Sequence, residues 1–88
     1  MKHARPDYDR IQDPALTDSS LLKEGSTPIA ADEPVFLLRA QDRTAAEVVR
    51  YWAQCQQQLS DHDANAVKLA REHAHRMEQW PKHKTADV

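Results

Sequence analysis

The chain has 88 residues, 40% of them apolar, a mean hydropathy of −0.84, and a net charge of −2 from 12 Lys and Arg against 14 Asp and Glu. That length allows one domain with a small core, since so short a chain buries only about two-thirds of its unfolded surface. The charge balance excludes general nucleic-acid binding, which needs a basic excess to neutralise phosphate.

No apolar run is long enough to span a bilayer, so no membrane association is expected, and the opening MKHARPDYDR has no apolar core of a secretion signal. Cys55 is the single cysteine, which leaves no internal disulfide. The expected setting is the cytoplasm, with Cys55 a partly buried thiol.

Residues 1–31 read as an extended or partly disordered arm. Pro6, Pro14, Pro28, the lone Gly25 and the run Thr17-Asp18-Ser19-Ser20 interrupt the chain too often for a long element. Tyr8, Ile11, Leu16, Leu21, Leu22 and Ile29 are spaced apolar residues that suit an arm laid along a surface. Leu21 and Leu22 fit one helical turn capped by Asp18 or Ser19.

The rest, residues 32–88, is expected to form a small helical domain. It opens with the block DEPVFLLRAQD, residues 32–42, where Val35, Phe36, Leu37 and Leu38 stand side by side in polar surroundings. As a strand, this is a continuous apolar run with proline at its first position, where proline is tolerated. As a helix, Asp32 is the N-cap and Leu37 to Gln41 are good helix formers. The strand is the favoured reading. A lone strand needs a partner for its backbone. The weak intrachain candidates lie near residues 8–11 and 26–30, and the same block in a second copy is the alternative. Val35, Phe36, Leu37 and Leu38 are therefore the expected interface of a homo-oligomer.

Two helices follow. Thr44-Ala45-Ala46-Glu47 fits a capping box, and Ala45, Val48, Trp52, Cys55 and Leu59 recur at helical spacing, so a helix is expected over about residues 44–59. Ser60, Asp61 or Asp63 caps the next, over about residues 62–80, with Val67, Ala70, Ala74 and Met77 on one face and Trp80 extending it. Pro81 ends it, leaving residues 81–88 as a tail. The short turn makes an antiparallel αα-hairpin, with Trp52 expected inside its core and Trp80 closing the far end. The fold class is thus mainly α: an extended N-terminal arm, a short apolar strand or helical turn, and an antiparallel αα-hairpin, assembled as a homo-oligomer. A small polar chain with an alanine-rich packing face calls for that further cover.

The block DEPVFLLRAQD, the segment AAEVVRYWA and the tail AREHAHRMEQWPKHKTADV together resemble a family of small bacteriophage- and prophage-encoded proteins, over roughly residues 28–88. The matching positions include Arg39, Gln41, Asp42, Trp52 and Trp80. Ala46 stands where such proteins often carry proline, which bears on the helix start alone. The resemblance implies a phage context in the host cytoplasm, where a short protein often blocks or sequesters a host component. It implies no particular chemistry.

The chemical motifs are few. Asp61-His62-Asp63-Ala64-Asn65 imitates the start of a calcium loop, with Glu72 at its twelfth position, but Ala66 stands where the glycine belongs, and helix capping is the better reading. His73 and His75 are two apart on a helix and point to different sides, so neither zinc nor any other metal site is expected. His73 flanks the Val67–Met77 face as a partly buried histidine, while His3 and His83 read as solvated. No phosphate-binding glycine loop and no nucleophile motif is present. No catalytic residue, cofactor or enzymatic activity is expected.

Arg39, Gln41 and Asp42 remain. An arginine fork suits phosphate or carboxylate, glutamine can read a base edge, and aspartate can accept from a ribose hydroxyl. With Tyr8, Trp52 or Trp80 as a stacking face, and Arg10 from the arm, they form a candidate site for a small anionic ligand such as a signalling nucleotide, sequestered at subunit interfaces. The plainer reading has Arg39 paired with Asp42 or an acid of the arm, and Asp42 helping to cap the helix. The alternative function is a protein–protein inhibitor or adaptor that docks on a host protein through the arm or the apolar block.

Overall fold

The structure, a computed structural model, describes residues 1–22 and 26–85. It is mainly helical. In chain order come strand β1 (Lys2–His3), a 3-10 turn (Pro6–Tyr8), helix α1 (Pro14–Thr17), strand β2 (Pro34–Val35), helix α2 (Ala45–Gln57) and helix α3 (Ala64–Glu78). The chain divides into two compact units, one of residues Met1–Leu37 and one that begins at Leu38, so the division falls inside the apolar block.

In the first unit, β1 and β2 form a two-stranded parallel sheet with Lys2 opposite Pro34 and His3 opposite Val35. The Lys2 N–H donates to the Glu33 carbonyl at 2.8 Å. This revises the expected pairing. Within the chain the partner is neither residues 8–11 nor residues 26–30, but Lys2–His3 at the start of the same chain. Proline opens β2, where its missing donor does no harm, and the strand ends after Val35. The block is thus part strand and part irregular.

The arm holds more local structure than its composition suggests. Pro6 and Pro14 each open a helical turn, in keeping with their fixed φ. Asp13 caps α1 by accepting from the Ala15 N–H at 3.0 Å. Leu21 lies in a turn rather than a helix, its N–H donating to the Asp18 carbonyl at 3.0 Å. The Ser20 hydroxyl and N–H both donate to the Asp18 carboxylate and hold it below its ordinary range. The expected Leu21–Leu22 helical turn is displaced to Pro14–Thr17, where a proline and an Asp cap are available.

In the second unit, α2 and α3 pack against each other. Arg71 bonds Gln57 and Arg50 bonds Glu78, so seven residues up one helix match seven down the other and the pair is antiparallel. Asp63 caps α3, accepting from the Asn65 and Ala66 N–H groups at 2.9 and 3.2 Å. Its carboxylate thus serves the helix start. The core is small: Ala45, Ala46, Ala74 and Met77 cluster, with Leu38, Ala40 and Val49 packed on them, while Ala53 and Val67 are buried alongside.

That core corrects the expected α2 face. Ala45 is buried, but Val48, Trp52 and Leu59 are 44%, 46% and 50% exposed, and Cys55 is exposed too. The face against α3 is Ala45, Val49 and Ala53, turned one residue along. The alanines of α3 explain it, because two alanine stripes let the backbones close in, and a tryptophan between them would hold the helices apart. Trp80 is also exposed and closes nothing, and His73 is exposed rather than tucked beside Met77.

Candidate functional site

Asp42 sits at the turn into α2. Its N–H donates to the Arg39 carbonyl at 3.0 Å, and its carbonyl accepts from the Ala45 N–H at 3.1 Å. One carboxylate oxygen accepts from both the N–H and the hydroxyl of Thr44, each at 2.9 Å. This is an Asx-type turn two residues ahead of the N-cap Thr44. It replaces the expected capping box: Thr44 has helical φ and ψ of −99° and −5°, and its hydroxyl donates to Asp42, so it makes no side-chain cap of its own.

Gln41 is also drawn into structure. Its carbonyl accepts from the Lys84 N–H at 2.6 Å, and the Arg43 N–H donates to the Lys84 carbonyl at 3.0 Å, which ties the tail to the block by a parallel bridge. Gln41 and Asp42 are half-buried, and Arg39 is exposed. The three residues proposed for ligand recognition thus precede the start of α2; the Asp42 carboxylate holds that start, and Gln41 engages the tail through its backbone carbonyl.

Tyr8 and Arg10 belong to the first unit. The guanidinium carbon of Arg5 lies 5.0 Å from the centre of the Tyr8 ring, and the His3 ring meets it edge to face at 6.4 Å. Arg5 also pairs with Asp7 at 2.7 Å. Tyr8 is therefore engaged by Arg5 and His3, while Arg10 is exposed.

The chain start is held firmly, and the sequence carried no signal for it. Met1 is buried, its ammonium donates to the Gln12 Oε1 at 3.1 Å, and Gln12 Nε2 donates back to the Met1 and Asp9 carbonyls at 2.8 and 2.7 Å. His3, expected to be solvated, is half-buried. Its Nε2 lies 3.0 Å from the Ile11 carbonyl and donates to it, and the buried Nδ1 has no hydrogen-bond partner.

The apolar block is split. Val35 is half-buried in β2, and Leu38 is half-buried against the helical core. Phe36 and Leu37 between them are 62% and 43% exposed. Phe36 stands at the end of a shallow groove lined by Lys2, His3, Ala4, Pro34 and Val35. Among the described residues, no group of three or more His, Cys, Asp or Glu is placed to hold a metal ion, and no helix is long and apolar enough to cross a membrane. No family model, no curated protein and no solved structure matches the chain.

Proposed function

We propose that this chain is a small non-enzymatic binding protein that docks on another protein through its apolar block. The observation that carries this reading is the exposure of Phe36 and Leu37 directly after β2, with Phe36 lining a groove whose walls are mostly apolar. Adjacent large apolar side chains held at the end of a strand are suited to enter a pocket on a partner, where one or two such anchors supply most of the binding energy. The phage resemblance would make that partner a host protein.

Sequestration of an anionic nucleotide is the rival. It draws on Arg39, Gln41, Asp42, Tyr8 and Arg10, and the capping duty of Asp42 and the Arg5–Tyr8 stacking weigh against it. One paired experiment separates the two. A protein captured from bacterial extract is identified, purified and titrated against the unaltered chain and Phe36→Ser, while a nucleotide panel is screened by thermal shift. Docking predicts a loss of affinity of at least about tenfold for Phe36→Ser, as for an interface anchor. A nucleotide that raises the melting temperature by mass action, and loses that effect in Arg39→Lys, would overturn the proposal.

A further inference from the structure

We infer that α2 is the seam of a homodimer, lying antiparallel on α2 of a second copy through Val48, Tyr51, Trp52, Cys55 and Leu59. This concerns the second unit and stands independently of docking through the apolar block. The five residues make one stripe. Val48, Trp52, Cys55 and Leu59 follow heptad spacing, and Tyr51 beside them is 67% exposed. Leu59 lies just past the helix, in a turn where its N–H donates to the Gln56 carbonyl at 3.0 Å. Helix α3 covers the other face of α2 and leaves this one open.

The surroundings of the stripe differ from an ordinary solvated face. Residues 51–60, Tyr-Trp-Ala-Gln-Cys-Gln-Gln-Gln-Leu-Ser, carry no charge at all. The open face of α3 instead mixes exposed Leu69 with charged Lys68, Glu72 and Arg76. Aromatic enrichment with depletion of charge is the compositional mark of an interface core.

The occupant follows from the pattern itself. A twofold interface must be complementary to itself. The stripe is spaced four, three and four residues, which reads the same in both directions. Laid antiparallel on its own copy, it sets Val48 against Leu59 and Trp52 against Cys55, so each bulky indole meets a small thiol. The two charged residues of α2, Glu47 and Arg50, fall opposite Ser60 and Gln57, and no like charges are brought together.

Sedimentation of the whole chain across micromolar concentrations tests the inference, alongside Trp52→Glu with its helicity checked by circular dichroism. The unaltered chain is expected at twice 10.1 kDa, and a folded Trp52→Glu at the monomer mass, its dissociation constant raised at least about thirtyfold, as for an interface hot spot. Cys55 supplies a second measurement, made on the unaltered chain. A bismaleimide matched to the ~8–10 Å between packed helix axes should join two unaltered chains. The same reagent should leave Lys68→Cys in a Cys55→Ser background unjoined. A monomer at every concentration, a dimer indifferent to Trp52→Glu, or cross-linking equally good from position 68 would each overturn it.

Discussion

Arg50 and Glu78 meet across the hairpin with guanidinium and carboxylate 2.6 Å apart. The hydrogen bond and charge of Arg50, with smaller help from His75 and His83 against slight desolvation, hold the Glu78 carboxyl below its ordinary 4.5. A carboxyl whose value is lower in the folded than in the unfolded state adds stability above the unfolded value and loses it as pH falls through the folded one. The contribution of this pair is therefore complete above about 4.5 and fades below it, and salt weakens it because both side chains are exposed. In a nuclear magnetic resonance titration, Glu78 should protonate below its ordinary value in the unaltered chain and shift upward in Arg50→Gln. Identical titrations would mean that the pair does not persist in solution.

The turned face of α2 is tested by two substitutions on neighbouring stripes. Ala53 is fully buried against α3, so Ala53→Leu should overpack the seam and destabilise by about 1–3 kcal/mol. Val48 is 44% exposed, so Val48→Ala should stay within about 0.5 kcal/mol in dilute protein, where any association through α2 is absent. Urea unfolding gives both numbers. The opposite ranking would restore Val48, Trp52, Cys55 and Leu59 as the inner face.

Asp42 acts as the anchor of the α2 start. Asp42→Ala should lose about 0.5–2 kcal/mol, the range for removing a helix cap. Glu47→Gln should change little, because Thr44 is in helical conformation and forms no capping box. If Asp42→Ala unfolds in urea like the unaltered chain, its carboxylate is free for a ligand, and the nucleotide reading gains ground.

Local chemistry was legible in the sequence. The second helix and a cap among Ser60, Asp61 and Asp63 follow from side chains acting on their own backbone within a few residues, and the structure selects Asp63 and Ala64–Glu78. The buried positions Val67, Ala74 and Met77 follow from spacing, because alanine and methionine leave a helix only one apolar stripe to choose there.

On α2 two stripes competed, one of large residues and one of small. Hydrophobicity favoured the large one; tertiary structure chose the small, because the alanines of α3 reward close approach and a Trp52 between the backbones would prevent it. Pairing of Lys2–His3 with Pro34–Val35 was equally beyond local pattern, since it joins segments about thirty residues apart and neither is long enough to show the alternation of a strand. The Arg39-Gln41-Asp42 set shows the same limit in chemical form. The order of the side chains displayed what they can bind, while the turn they occupy decided that the Asp42 carboxylate spends an oxygen on Thr44. Side-chain identity carries propensity and reactivity, but which of two faces is covered, and which acceptor is already taken, depends on segments that only folding brings together.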